Sequence, residues 1–341
     1  MSVPVLEVLA PGLLTTVQDT RPRLAYGRYG VSPGGALDVP AARLANHLVG
    51  NPEEAALLEI TLVGPRLRVL RPTVLALTGA DLNARLDERP LTPGWSVFAR
   101  AGALLEFGER RWGLRSYLAL TGGITVPEVL GSRSTDLRGG FGGLGGRALR
   151  AGDVLSAPLL PDPFLHAGAS APLPPLSDQP VRLWPGPHGR RFTRRAHTLL
   201  YQARWQVSPT SDRMGLRLLG PPLPQRQPAE VPSLGLPTGA VQVPPDGQPI
   251  VLLADHQPTG GYPVIACVVQ ADLPRLAQLA PGESLRFAPA SPAAPPQASP
   301  VPEIVRDELG WLLARWAGAF APAGLLPGPR SCAGKTVSNA P

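Results

Sequence analysis

Apolar and polar residues alternate over short runs along most of this chain, and glycine or proline separates the runs. VPVLEVL at residues 3–9 reads as a first strand, stopped by Pro11-Gly12. From residue 66 onward RLRVLR, TVLALTG, LNARLD, WSVFA, ALLEFG and RSYLALTGG follow at near-even spacing, and LDERPLTPG is a tight-turn signal among them. A second series, VRLWPG, ARWQVS, GLRLLG, TGAVQVP, QPIVLLA, PVIACVVQ and SLRFAP, repeats the pattern. RAGALLEFGE, LRAGDVLSA and LAPGESLRFAP each read as a turn feeding a strand. The last two would close two similar domains, as an internal duplication would produce.

A helical period occurs in two places. Asp38 precedes VPAARLANHLVG, which predicts an N-capped helix with Leu44 and Leu48 on one face and Gly50 at its end. EIVRDELGWLLARWAGAF carries Ile304, Leu309, Leu312, Leu313, Trp316 and Phe320 at three-to-four spacing. This predicts an amphipathic helix over 303–320, docked on its own domain or on a partner. Residues 158–180 are proline-rich and aperiodic, a linker, and residues 321–341 read as a flexible tail. The pattern therefore predicts a mainly β protein, with an N-terminal β-barrel-like domain over 1–157 and a C-terminal β domain over 181–290. Short helices decorate both. A doubly wound fold would need long helices in regular alternation, and these are absent.

Composition sharpens this picture. Of 341 residues, 43% are hydrophobic and 17% charged, which excludes a disordered chain, while 38 glycines and 44 prolines argue against a helical bundle. The net charge of +7 is carried almost wholly by arginine, since Lys335 is the sole lysine. Its one dense cluster is RRFTRR, Arg190–Arg195. No basic stripe with interleaved aromatics accompanies it, so nucleic acid is not an expected partner. The arginines either solvate the surface or steer an anionic small molecule. Cys267 lies in an apolar run and Cys332 in the tail, so neither a disulfide framework nor a thiolate metal site is expected. His47, His166, His188, His197 and His256 are not spaced as ligands, and no metal is expected. The N-terminus lacks a basic region followed by an apolar one, and no stretch reaches membrane-spanning length. A cytoplasmic protein without membrane contact is the expectation.

No local catalytic motif of the GxxxxGK[ST], HExxH or GxSxG kind is present, and CAGKTV at 332–337 is only a partial likeness of the first. Four polar segments stand out instead. TTVQDTRPRLAYGRYGVSPGGALD carries Gln18, Asp19, Arg21, Tyr26, Tyr29, Ser32 and Asp38, too many hydrogen-bonding groups for a core strand; Asp19 with Arg21 could orient a polar ligand, or the segment is an ordinary capped loop. GSRSTDLRGGFGGLGGR, with Ser132, Arg133, Ser134 and Thr135, has a backbone permissive enough to turn amides toward an anion. SPTSDRMGLRLLG supplies Ser211, Asp212 and Arg213, where Asp212 could equally cap a turn. DHQPTGGYP lies between two apolar runs and carries Asp255, His256, Gln257, Thr259, Gly260, Gly261 and Tyr262, with Gln242 on the strand that approaches it. Together the four resemble the loops of a polar cleft in which Asp and His could serve acid–base chemistry.

The runs PGLLTTVQDTRP, LEITLVGP, YLALTGGITVPEVLGSRSTD, SDRMGLRL and GAVQVPPDGQPIVLLADHQPTGGYPVIACVVQADLPRLAQLAPG resemble the biotin-dependent carboxyltransferase, or allophanate hydrolase subunit 2, family over residues 3 to about 290. That family contains the C subunit of ATP-dependent 5-oxoprolinase, the KipA protein of sporulation control, and a domain of urea carboxylases. The resemblance implies cyclophilin-like β-barrel domains, a B-subunit or KipI-like partner, and an A subunit for full activity. It implies a small-molecule substrate, 5-oxo-L-proline, hydrolysed to L-glutamate through a phosphorylated lactam. ATP with Mg²⁺ would act at the level of the complex and would not be bound tightly by this chain alone. A KipA-like regulator, or a carboxyltransferase component acting on urea or a small amide, are the alternatives. On this resemblance Asp255, Arg213 and Asp19 are the expected catalytic residues. Gln18, Ser132, Arg133, Ser134, Thr135, Ser211, Asp212, Gln242, Gln257, Thr259, Gly260, Gly261 and Tyr262 are expected to bind substrate or phosphate. The chain departs from the shared pattern at His256 and Pro258, where relatives commonly have arginine and threonine. The loss of that arginine weakens a role for position 256 as an anion clamp.

Overall fold

The structure, a computed structural model, describes residues 1–159, 168–171, 179–226, 231–291 and 305–306. The fold is mainly β, as the alternation predicts. In the first half, strands Val154–Pro158, Ser2–Ala10, Arg66–Val69, Leu104–Glu106, Arg85–Leu86 and Arg89–Pro90 form one sheet in that order. A second sheet runs Leu14–Gln18, Leu57–Thr61, Trp112–Leu120, Thr73–Asp81, Trp95–Ala99, Ala169–Ser170 and Val305–Arg306. The two sheets enclose a core of Leu6, Val8, Leu58, Ile60, Leu75, Leu77 and Leu118. The intervening residues Leu57, Val74, Ala76, Tyr117 and Ala119 point to the other face, where helix α1 (Val39–Leu48) covers them with Ala42, Leu44, Ala45 and Leu48. Strands buried on both faces read as continuous apolar runs, which is why LLEIT and TVLALTGAD carry so few polar residues. Each of those few is therefore informative.

In the second half eight strands form one sheet, in the order Ser284–Leu285, Trp205–Val207, Gly215–Leu219, Ile250–Leu252, Ala240–Gln242, Val264–Val268, Val181–Pro185, Phe287–Pro289. Its two edge strands are separated in the chain only by Arg286, so the sheet curls until its edges nearly meet, a barrel-shaped closure. Leu183, Phe192, Trp205, Leu218, Val251 and Ile265 fill its interior. Helix α2 (Arg194–Gln202), which the alternation did not predict, packs Ala196 and Leu200 inward and is capped by Thr193, whose hydroxyl accepts from the Ala196 amide. Half of the RRFTRR cluster is thus the first turn of this helix. A short helix α3 (Leu273–Ala277) follows the strand that holds Cys267, which is half-buried.

The turn signals hold. Gly102, Gly152 and Gly282, one in each turn-to-strand repeat, adopt φ of 82, 87 and 87°. The run LNARLD contributes only Arg85–Leu86 as strand, because Asp87 and Glu88 leave it to make the hairpin turn. Of the segment expected as a helix over 303–320, Val305–Arg306 is described, and these two residues pair with Ala169–Ser170 as an edge strand. The rest of that segment, the 321–341 tail and most of the 158–180 linker lie outside the described residues.

Asp87 and Glu88 have φ of 48 and 66°, the primed-turn geometry that side chains with a Cβ tolerate poorly. Glu88→Gly is therefore expected to raise stability by about 1 kcal/mol in a urea titration. An unchanged or lower midpoint would mean that the turn is not held in this form.

Candidate functional site

The two halves meet on the outer face of the first half's second sheet, and the polar residues of that face make the junction. Glu59 sits mid-strand in LLEIT, fully enclosed. Its Oε1 accepts from Nη1 of Arg213, which comes from the second half and is 4% exposed. Glu59 Oε2 accepts from the Leu37 amide at 2.8 Å and from the Tyr117 hydroxyl at 2.9 Å. Arg213 also grips Asp255 with both arms, Nε to Oδ2 at 2.8 Å and Nη2 to Oδ1 at 3.0 Å, and Nη2 donates to the Gly35 carbonyl at 2.7 Å. Burial alone would lower the Arg213 pKa, but the Asp255 and Glu59 carboxylates raise it above its ordinary value, so this guanidinium stays charged.

A second group lies beside it. Asp38 caps α1 through the Ala41 amide at 3.0 Å, and its Oδ2 accepts from Gln278 Nε2 at 2.7 Å. Gln278 Oε1 in turn accepts from the amides of Leu114 and Arg115, both at 3.0 Å, so one side chain at the C-terminus of α3 ties the second half to the first. Arg115 donates to the Ala277 carbonyl and lies 3.9 Å from Glu59. Burial lowers the Arg115 pKa and lifts the Tyr117 phenol well above its usual range. Burial also raises Asp38 to about 6.

A third group faces the Asp255 end of this junction. Asp19 Oδ1 accepts from Ser132 Oγ at 2.8 Å and Ser134 Oγ at 2.7 Å, and Oδ2 accepts from the Arg133 amide at 2.6 Å. Arg23, 2% exposed, donates from Nε to the Val129 carbonyl at 3.1 Å and from Nη2 to the Ser134 carbonyl at 2.6 Å, with its guanidinium 5.0 Å from the centre of the Phe141 ring. Its Nη1 is buried and has no hydrogen-bond partner among the described residues. Desolvation lowers the Arg23 pKa, and Asp19, Asp136 and Asp255 oppose that shift. Two glycines make the packing possible. A Cβ on Gly142 (φ +71°) would strike the Ser134 carbonyl, and one on Gly34 (φ +68°) would stand 2.9 Å from Arg23 Nη1. The Gly34 amide and the Ser32 hydroxyl donate to the Ala254 and Asp255 carbonyls at 2.8 and 3.2 Å, which brings the Asp255 turn against this cradle.

The structure thus assembles Asp19 with Ser132, Arg133 and Ser134, and Arg213 with Asp255. Thr135 and Gln18 flank the first group: Thr135 donates to the Val17 carbonyl, while Gln18 donates to Thr16 and leaves its Oε1 buried, with no partner among the described residues. Ser211 and the exposed Asp212 serve their own turn, Asp212 accepting from the amides of Met214 and Gly215 and Ser211 donating to the Arg217 carbonyl. Thr259 and Gly260 form a two-stranded ribbon with Leu234–Gly235, Gln242 reaches the Tyr262 carbonyl, and Tyr262 is exposed; Gly261 carries the Val231 amide on its carbonyl. No hydrogen bond among the described residues connects Gln257 or this ribbon to Asp19 or Arg213. His256 is buried, with Nδ1 2.7 Å from the Gln257 carbonyl and Nε2 3.2 Å from Thr238 Oγ1, and burial lowers its pKa, so it is a neutral structural ring.

The sequence pattern did not single out Arg23, Glu59, Arg115, Tyr117 or Gln278. It paired Asp19 with Arg21, but Arg21 is exposed and pairs with Glu54 at 2.8 Å. A signal did exist for Glu59 and Arg115, each a lone charge in an otherwise apolar strand, since a buried charge requires a partner. Among the described residues no group of three or more His, Cys, Asp or Glu is placed to hold a metal ion, and no helix is long and apolar enough to cross a membrane.

A family profile for the carboxyltransferase domain, subdomains A and B, matches residues 29–289. The C subunit of 5-oxoprolinase from Escherichia coli K12 is 42% identical over 308 residues, covering 90% of this chain and 98% of that protein. The C subunit of 5-oxoprolinase from Haemophilus influenzae is 38% identical over 282 residues, covering 83% and 90%. The crystal structure of the K. lactis urea amidolyase superposes with a TM-score of 0.79 at 34% identity, over 84% of this chain and 19% of that one.

Two expectations follow from the junction. Arg213→Met would leave Glu59 and Asp255 buried without their shared cation, and should cost about 3–5 kcal/mol in urea unfolding. Adding Glu59→Gln in that background should return part of the loss, so strictly additive costs would rule out the shared-cation account. Asp38 gives a pH signature. Its folded-state pKa, about 6, lies above the unfolded 3.8, so its contribution to stability is fully present below about pH 4 and is lost as pH rises through 6. The difference corresponds to about 3 kcal/mol. Asp38→Asn should flatten the stability–pH profile between 4 and 7 by that order, and an unchanged profile would show that another group titrates there.

Proposed function

The chain belongs to the family of carboxyltransferase domains with subdomains A and B, and we propose that it serves as the C component of an ATP-dependent 5-oxoprolinase, acting with A and B subunits on 5-oxo-L-proline. The observation that carries this reading is the end-to-end likeness to the C subunit of 5-oxoprolinase, which leaves almost none of that protein uncovered. A lactam carbonyl is a weak electrophile. Transfer of the γ-phosphoryl group of ATP to its oxygen releases ADP and makes the ring carbon open to water. Loss of phosphate and cleavage of the C–N bond then yield glutamate. Each step places negative charge on oxygen and needs fixed donors beside it.

The cradle offers one such donor. Arg23 Nη1 is a buried cationic N–H without a partner among the described residues, and its guanidinium is held by the carbonyls of Val129, Ser132 and Ser134 and by the Phe141 ring. In this reading it binds the developing oxyanion or a transferred phosphoryl oxygen. Asp19, with its oxygens engaged by Ser132, Ser134 and the Arg133 amide, fixes the loop that supplies those carbonyls. Arg213 and Asp255 hold the opposite wall, which makes them positioning residues and not proton carriers. Mg²⁺-ATP belongs to the assembled complex in this account, and partner subunits complete the site.

The test is reconstitution of this chain with its A and B subunits, following ATP-dependent glutamate release from 5-oxoproline. Release should require all three components. Arg23→Lys, which keeps the charge but not the planar fork, should lower kcat at least ~10-fold when assayed well below the melting temperature of the variant, where it is fully folded. No turnover by the reconstituted set, beside a related complete set that does turn over, would end the reading. Carboxylation of urea from carboxybiotin in the same preparation would favour a transferase, which the likeness to urea amidolyase supports as the second reading.

A further inference from the structure

A cleft of about 670 Å³ opens between the two halves, on the side where Gln278 and Glu283 cross from one to the other. Its walls carry Arg110, Arg111 and Trp112 from the start of a first-half strand, Arg204 after α2, Arg275 in α3, and Arg286 in the single-residue link that closes the barrel. Five arginines face one acid, Glu283, and that acid is already held by Arg110 at 2.9 and 3.0 Å. Two acids outside the lining also serve these arginines: Asp81 lies 3.4 Å from Arg111, and Asp272 lies 4.0 Å from Arg275, which backbone carbonyls near Gln179 engage as well. Among the described residues, the side chains of Arg204 and Arg286 make no hydrogen bond or ion pair.

This is not how the chain treats many of its other surface arginines. Arg21, Arg43, Arg66, Arg68, Arg100 and Arg147 each have an acid within 3.2 Å. At those positions arginine is matched locally, as Arg110, Arg111 and Arg275 are in the cleft, whereas among the described residues Arg204 and Arg286 have no acid beside them. Like charges converging on one concavity repel, and a low-dielectric wall concentrates their field. An anion of matching charge relieves the repulsion, and guanidinium forks suit phosphate oxygens. The volume falls within the roughly 300–1,000 Å³ of small-molecule sites, and junctions between domains are where such sites concentrate. Trp112 adds an indole to a wall that also carries Val181, Leu279 and Leu285.

We propose that this cleft is a binding site for a polyphosphate anion of nucleotide size, contributed to by both halves and separate from the Arg23 cradle. A ligand there would bridge Arg110–Trp112 of the first half to Arg204 and Arg286 of the second. It would therefore brace the same junction that Gln278 pins from inside. This site does not depend on the reaction proposed above, because the purified chain alone is the object of the test.

The experiment is titration calorimetry of the full chain with ATP and, separately, with inorganic tripolyphosphate, at about 50 and 200 mM salt. One-site binding with Kd below ~1 mM, weakening with salt, is expected. Arg204→Ala/Arg286→Ala should weaken it at least ~10-fold. The control Arg71→Ala/Arg89→Ala removes the same charge from exposed positions away from the cleft and should bind as the wild type does. Equal affinity for both probes identifies the phosphate chain as the ligand, whereas tighter ATP binding that Trp112→Ala abolishes identifies a nucleotide. No saturable binding of either probe, or equal weakening by the two double variants, overturns the proposal.

Discussion

A guanidinium enclosed between two carboxylates from opposite halves of the chain governs the rest of this architecture. Arg213 receives Asp255 from its own half and Glu59 and the Gly35 carbonyl from the other. Taking these charges out of water costs several kcal/mol per ion, and only near-ideal geometry returns it. That requirement makes the contact intolerant of displacement. If the halves shifted by an ångström, Glu59 would keep its burial and lose its cation. Net stabilisation by such a cluster is modest, but the penalty for misplacement is large, so its effect is to define one relative position of the two halves. The Tyr117 hydroxyl, which donates to Glu59 and accepts from the Asp38 amide, extends that definition to the start of α1. Gln278 extends it to α3.

The Arg23 cradle depends on this position. Its floor comes from the first half, where the glycine-rich loop wraps the Asp19 turn. Its facing wall is the Asp255 turn of the second half, which the Gly34 amide and Ser32 hydroxyl meet. Asp255 therefore belongs to both assemblies: its side chain serves Arg213 and its backbone serves the cradle. The glycines of the loop let this happen for a steric reason. Ser134 has its carbonyl against Arg23 and its hydroxyl against Asp19, and the chain beyond it can approach only because Gly142 has no Cβ to strike that carbonyl.

How much of this was legible in the amino-acid sequence follows from the range of each interaction. The strands, the α1 cap at Asp38 and the three glycine turns are set by residues within a few positions of each other, and the sequence shows them directly. Helix α2 was hidden because its N-terminal arginines read as surface charge and only Ala196 and Leu200 face inward. The segments that hold Asp19, Ser132, Ser134, Arg213 and Asp255 were recognisable by composition, since each gathers polar residues beside glycine. Their pairings were not, because the partners are separated by 42 to 115 positions. Composition also over-collected. Ser211 and Asp212 sit beside Arg213 in sequence but serve a turn, and Thr259 to Tyr262 continue past Asp255 into a separate ribbon. In a strand or tight turn neighbouring side chains point in different directions, so adjacency to a functional residue carries little weight.

Arginine shows the same lesson from the opposite side. Counting charges gave +7 and a choice between solvation and anion steering. The structure divides the arginines into environments that the count merges. Some are matched to a surface acid and contribute little. Arg213, Arg115 and Arg23 are buried, where each charge has to be met by carboxylate, carbonyl or aromatic ring; among the described residues Nη1 of Arg23 and Nε of Arg115 have no hydrogen-bond partner, the latter lying 3.9 Å from Glu59. Those around the inter-half cleft outnumber the one acid in its lining, and among the described residues Arg204 and Arg286 have no acid beside them. A surface under selection for stability alone would disperse or pair them, as the chain does at Arg21, Arg66 and Arg147. Convergence from both halves on one concavity, with the facing acid already engaged, is the arrangement expected when the missing counter-charge arrives from outside.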